Sequence, residues 1–366
     1  MKNRFLLFCL FVSLAALASA RDFGMQLFGA VAPSPKAETR IGIIGLDTSH
    51  SIAFTKVINV DRPQWAEGFR VTAAYKWGSR DIASATNRYP AYVAQVQGFG
   101  VAVVPTIDEL LASVDVVCLE TNDGREHLRQ AEKVFAAGKR CFIDKPIAHN
   151  LADAIKIYDL GLKYGAKYFS SSALRYSDVA KAARAGEYGT VLGASLISPS
   201  PVEKQGTHSF YTWYGIHGFE PLVAIMGTGV STVSCIRNES GDSVGAIWKD
   251  GRIGQLRLLR NGWTYSGYVL PEKPKDPKNP LVVYDGYRGY EPLLKEILRF
   301  FSTGDVPVSN AETLEIMAFM EAADESAKRG GEAVAIEEVF AVARGAGRDS
   351  QRKNDCRLGA KGASCR

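Results

Sequence analysis

The stretch Ile41-Gly42-Ile43-Ile44-Gly45-Leu46-Asp47-Thr48-Ser49-His50 constrains this chain more than any other. An apolar strand runs into a glycine turn and then a helix start, with Thr48 or Ser49 as cap. That is how a dinucleotide-binding βαβ unit begins. Against the pattern G-x-G-x-x-G with Gly45 first, Asp47 stands for the second glycine and His50 for the third. The second glycine lets backbone approach a pyrophosphate, and the third lets helix and strand pack closely. The fold signal is therefore intact, while the nucleotide signal is altered at two positions.

The segments that follow alternate between strand and helix. Strands are predicted at Arg40–Ile44, Phe69–Tyr75, Gly100–Val104, Val114–Glu120 and Arg140–Ile143. Helices are predicted at Ser49–Asn59, at Ile107–Ala112 behind a Thr106 cap, and at Arg125–Ala137. Such alternation implies a doubly wound parallel sheet with a site at the strand C-termini. Past Asn150 come a helix at Ala152–Tyr164 and a strand at Lys167–Ser171. Period-two strands then follow at Val191–Ser198, Val230–Ile236, Ser243–Lys249 and Arg252–Leu259, and helices at Tyr290–Thr303 and Asn310–Arg329. The expected fold class is α/β: an N-terminal Rossmann sheet at 40–150, then an α+β domain at 151–342 on a mostly antiparallel sheet.

The ends read differently. Lys2 and Arg4, an apolar run from Phe5 to Leu17 and Ala18-Ser19-Ala20 form a secretory signal peptide at 1–20. Residues 21–39 read as a linker and 343–366 as a basic disordered tail. The formal charge of +5 misleads, because the signal carries +2 and the tail from Arg344 another +5, leaving the body near −2. A nucleic-acid binder would carry basic charge on a folded face, so that partner class is excluded. The mature chain is expected to be secreted or periplasmic and free of the membrane. Cys118, Cys141 and Cys235 lie in apolar runs as buried thiols, while Cys356 and Cys365 sit in the tail, where they could pair. The spacing of His208, His217 and Glu220 fixes no metal geometry, and no metal is expected.

Several motifs, in order, resemble the Gfo/Idh/MocA (glucose–fructose oxidoreductase and inositol dehydrogenase) family. They are strand one with Gly42 and Gly45; His127 followed by Ala137-Gly138-Lys139; Asp144-Lys145-Pro146 where the family has E-K-P; and Gly186-Glu187-Tyr188-Gly189. Gly215-Ile216-His217 with Glu220 stands where the family has G-x-H-x-x-D, and Glu321-Ala322-Ala323 with Ser326 resembles its closing helices. The resemblance implies NAD or NADP as cofactor, a carbohydrate or polyol substrate, hydride chemistry at a hydroxyl carbon, and a homo-oligomer. It implies that Lys145 polarises or deprotonates the reacting oxygen, that His217 is an acid/base, and that Pro146 holds the lysine loop.

The departures matter as much. Trp213 stands four residues before His217 where the family often has an acid, and Ala173-Leu174-Arg175 replaces N-x-R. The second strand leads into Ser79 and Arg80 rather than an acidic residue, which suits a 2′-phosphate. Asp47 beneath a pyrophosphate would repel it. His50 could donate to phosphate or turn into the cleft as a second acid/base. Glu120 ends a strand that faces the cleft. Arg175 could hold a substrate oxygen, Glu220 could orient His217, and Tyr211, Trp213 and Tyr214 could stack on a sugar face. An exported enzyme meets little free nucleotide, so a tightly held, recycled cofactor is one reading. The rivals are a non-redox or cofactor-recycling sugar lyase or hydrolase, and a non-catalytic sugar-binding protein on the same fold.

Overall fold

A computed structural model of the protein describes residues 37–202 and 208–345. The expected signal peptide, most of the expected linker, and the tail with Cys356 and Cys365 lie outside the described residues.

The first sheet has six strands: β1 (Thr39–Ile44), β2 (Phe69–Tyr75), β3 (Ala102–Val104), β4 (Val116–Leu119), β5 (Arg140–Ile143) and β6 (Tyr168–Ser170). They are all parallel, in the order β3-β2-β1-β4-β5-β6. This is the doubly wound arrangement whose order reverses between β1 and β4, the place where such sheets bind ligands. The strands are short apolar runs because both faces are covered. On β1, Ile41 and Ile43 enter one core cluster and Ile44 the other. The helices include α1 (Ser49–Lys56), which runs on into a π-helical turn at Val57–Asp61, and α2 (Ile107–Ser113), α3 (Gly124–Ala136) and α4 (Leu151–Tyr164). The parallel sheet extends beyond residue 150, because β6 pairs with β5. The boundary expected there divides α4 and β6 from the sheet they complete.

The second sheet has seven strands: β7 (Val191–Pro199), β8 (Val230–Asn238), β9 (Gly241–Trp248), β10 (Ile253–Leu259), β11 (Ser266–Pro271), β12 (Val282–Asp285) and β13 (Val334–Ala335). Their order is β12-β11-β7-β10-β9-β8-β13, and only β7 and β10 run parallel. One face packs on α5 (Ile216–Met226) and on α7 (Asn310–Lys328). The other face exposes Ile236, Ile247, Ile253, Tyr268 and Val283. Helix α6 (Glu291–Thr303) lies far along the chain yet packs into the first half. Its Leu293, Leu294, Ile297, Leu298, Phe300 and Phe301 share a core cluster with Ile41, Ile43, Phe54, Phe142 and Phe169. Among the described residues no helix is long and apolar enough to cross a membrane.

Candidate active site

The loops at the C-terminal ends of β1, β4 and β5 are knitted together by backbone. Gly45 N–H donates to Tyr75 O at 2.8 Å, Glu120 N–H to Ile44 O at 2.7 Å, and Asp144 N–H to Leu119 O at 2.8 Å. Gly45 has φ +94°, and a Cβ there would meet the Thr121 backbone at 2.6 Å, so only glycine makes this turn. Thr48 caps α1, its hydroxyl accepting from Ser51 N–H. His127 is buried, one ring nitrogen at the Thr121 carbonyl and the other at the Ile147 carbonyl, and ties the β4 loop to the loop after β5. The Lys145–Pro146 peptide in that second loop is cis.

These loops form the floor of a cavity of about 540 Å³. It runs from the N-terminus of α1 (Thr48, Ser49) past Arg88 and Asn122 to His50, Asp144 and Lys145. His217, Trp213, Tyr214, Trp263, Tyr265, Tyr287 and Tyr290 wall the far side. The rings brace one another: Tyr214 meets His217 edge-on at 4.8 Å between centroids, Trp263 at 5.1 Å, and its hydroxyl lies 3.1 Å from that of Tyr265. Tyr290 meets His50 at 4.5 Å and its hydroxyl lies 3.3 Å from Ser49 Oγ.

Of the residues singled out from the sequence, Thr48, Ser49, His50, Asp144, Lys145, Trp213, Tyr214 and His217 come together here. The others lie elsewhere. Gly42 is a packing position whose Cβ would meet Leu110 at 2.6 Å. Asp47 is buried beneath the loop, accepting from Ser79 N–H at 3.1 Å and Asn122 N–H at 3.0 Å. Burial pushes its carboxyl up to about 6, against those two amides. Glu120 is buried under His50 rather than facing the cavity. Burial, and then the Asp144 charge, pushes it well above the usual carboxylate range. Ser79 spends its hydroxyl locally, on Asp81 and Ile82 N–H. Arg80 lies over Trp77 with Lys76, along a second cavity of about 490 Å³. Pro146 is buried.

Arg175 is buried in an ion pair with Glu312 and lies 3.6 Å from Glu220, so it is spent on the core rather than on a substrate. Tyr211 is buried with its hydroxyl at Cys235 Sγ. Glu220 does not orient His217 directly. It accepts from Ser171 Oγ and from Ser172 N–H, both at 2.8 Å, and Ser172 Oγ then meets His217 Nδ1 at 2.8 Å. Burial raises the Glu220 carboxyl to about 7, with Arg175 opposing. His217 is held well below its ordinary value, first by burial and then by the Lys145 and His50 charges. It is a neutral imidazole whose Nδ1 is engaged, leaving Nε2 for chemistry. Asp144 is desolvated, yet His50 and Lys145 hold it down to about 2. His208, His217 and Glu220 do not converge.

A dinucleotide fits this frame. The α1 N-terminus opens on the cavity, where its free N–H groups and the helix dipole favour a pyrophosphate, and Arg88 adds a cation. Asp47 does not line the cavity, because its carboxylate is turned to two backbone amides. The repulsion expected of it is thereby reduced. The first glycine is kept where the turn demands it.

Comparison with known proteins agrees with this geometry. Residues 39–171 match the model of an oxidoreductase family with an NAD-binding Rossmann fold, the Gfo/Idh/MocA family. No curated protein sequence matches significantly. Among solved structures, a "probable dehydrogenase" from Thermotoga maritima superposes with a TM-score of 0.66 at 19% identity, over 82% of this chain and 99% of that one. The myo-inositol dehydrogenase of Lactobacillus casei, solved with NAD(H) and myo-inositol, gives 0.62 at 18% identity, over 81% and 96%. The apo scyllo-inositol dehydrogenase of Lactobacillus casei gives 0.64 at 15% identity, over 82% and 99%. At such identities the likeness speaks for the fold alone. Over residues 39–171, about a third of its length, the chain is thus similar to the Gfo/Idh/MocA oxidoreductase family with its NAD-binding Rossmann fold.

Proposed function

We propose that the protein is an NAD(P)-dependent oxidoreductase acting on a hydroxyl of a sugar or polyol. The observation that carries this reading is one cavity floored by Lys145 and Asp144, faced by neutral His217 and walled by aromatic rings. Those rings suit the C–H faces of a sugar. The α1 N-terminus, Ser49 and Arg88 would hold the pyrophosphate. Lys76 and Arg80 at the end of β2 would favour a 2′-phosphate and hence NADP. When bound, the nicotinamide supplies the hydride acceptor. Lys145 donates a charge-assisted hydrogen bond to the reacting oxygen, lowering the cost of its negative charge. Neutral His217 takes the hydroxyl proton, with Ser172 fixing the ring.

The apolar outer face of the second sheet suits a homo-oligomer, and the N-terminal signal suits export. The first test is to denature the purified protein and look for released nucleotide by mass spectrometry, then assay a sugar and polyol panel by reduced-nicotinamide absorbance. About one nucleotide per chain and turnover of a panel member support the reading. No released nucleotide and no binding of added NAD(P)(H) would sink it and favour a cofactor-free lyase, hydrolase or binding protein.

A further inference from the structure

Beneath the floor of the cavity, under His50, lies a carboxylate that the acid/base chemistry does not use. Glu120 follows β4, is 0% exposed, and has no hydrogen-bond partner at either oxygen. Asp144 Oδ2 is buried and likewise unpartnered. His50, which replaces the last glycine of the loop, puts Nδ1 at 2.9 Å from Asp144 Oδ1 and 3.8 Å from Glu120 Oε2. One ligand atom from each of the three side chains falls within 4.8 Å of the other two.

Asp144 Oδ1 accepts from Lys145 N–H at 2.8 Å, but Oδ2 and both Glu120 oxygens have no donor, and such buried carboxylate oxygens are costly unless something positive sits between them. Lys145 and His50 both act on Asp144, but on Glu120 the Lys145 ammonium alone opposes burial and the Asp144 charge. The orphaned oxygens call for a second cation. The glycine-to-histidine change supplies the nitrogen that would help hold it.

We propose that His50, Glu120 and Asp144 bind one small divalent cation at the floor of the cavity. An imidazole with two carboxylates suits Mn²⁺ or Zn²⁺ better than Ca²⁺, which takes six to eight oxygens. His50 and Asp144 also line the cavity, so coordination positions remain open toward it. A pair of neighbouring hydroxyls, or the carboxylate of a sugar acid, is the ligand chemistry that would fill them. Binding needs no nucleotide, so the site stands or falls independently of the redox reading. Because Nδ1 must give up any proton to the metal, uptake releases protons and strengthens as pH rises.

The test is equilibrium dialysis of chelator-treated full chain against Mn²⁺, Zn²⁺ or Mg²⁺ alone, with metal per chain measured by mass spectrometry. Wild type should take up close to one Mn²⁺ or Zn²⁺. Glu120→Gln and Asp144→Asn should each bind at least about tenfold more weakly. Should either variant fail to fold by circular dichroism, pulsed electron paramagnetic resonance of Mn²⁺ on wild type decides, since imidazole ligation gives a nitrogen coupling. No stoichiometric uptake at millimolar metal would overturn the proposal, as would uptake unchanged in folded Glu120→Gln or bound Mn²⁺ without nitrogen coupling.

Discussion

Asp47 offers a prediction that can be worked from the structure. It is an acid where a nucleotide loop normally has glycine, fully buried and held by the Ser79 and Asn122 amides. Burial outweighs those amides and raises its carboxyl from 3.8 to about 6. That displacement is worth about 3 kcal/mol in favour of the protonated form. The folded pKa lies above the unfolded one, so the folded state holds an extra proton between them. The stabilisation is full below the unfolded value, declines as pH climbs through the folded value, and stays lost above it. Asp47→Asn removes the titration but keeps the shape. Its amide accepts fewer of the two N–H groups, which adds an offset independent of pH. The assay is urea unfolding of both proteins from pH 4 to 8. Wild-type stability minus variant stability should fall by about 2 kcal/mol from pH 4 to 6, by about 2.5 kcal/mol in all by pH 8, and then level. Because both proteins share every other titrating group, the difference isolates Asp47. A difference that stays flat, or that rises with pH, would show that the amides win over burial and refute the reasoning.

The other predictions are shorter. Lys145→Ala should cut turnover by about 10²- to 10⁴-fold while sugar and nucleotide affinity change little; steady-state kinetics with unchanged kcat would remove Lys145 from its role. Ser172→Ala should lower kcat about tenfold with KM nearly constant, and Ser172→Thr should recover most of the loss if the hydroxyl orients His217. Arg175→Met leaves Glu220 and Glu312 without their cation; denaturant unfolding should show a loss of about 3–5 kcal/mol, and a loss below about 1 would contradict that pairing. N-terminal sequencing of protein recovered from its producing cells should begin just after Ala20, and an intact Met1 would argue against export.

The parallel sheet was legible because its strands are buried on both faces and its helices are capped. Phe69–Tyr75 and Arg140–Ile143 form as expected to the residue, and Thr106 caps α2 on Glu109 N–H. Helix α5 was not legible. All its residues but His217 are buried, so it shows no apolar stripe, and Pro221 inside it reads as a breaker. Strands β11 and β12 flank a Pro- and Lys-rich segment that hides their pairing. At the site, Asp144-Lys145-Pro146 and His217 were recoverable because they keep motif positions. Trp263, Tyr265, Tyr287 and Tyr290 were not, since loops distant in sequence converge only in the folded chain. The one local signal was the density of aromatic residues from 263 to 290. Ser172 had none beyond its place in a run of three serines.

The seating of α6 in the first half has a consequence for synthesis. A ribosome that has made β1 through β6 has not yet made Leu293, Leu294, Ile297, Leu298, Phe300 and Phe301, the side chains that close one face of that sheet. More than a hundred residues, including most of the second sheet, must emerge before they arrive. The parallel sheet therefore waits with an apolar face open, however complete its strands. Were the chain exported, as proposed, that delay would work in its favour, because an unfinished half is easier to thread than a finished one. The same delay makes residues 39–171 a poor fragment to express alone, since the fragment would display in water what α6 covers.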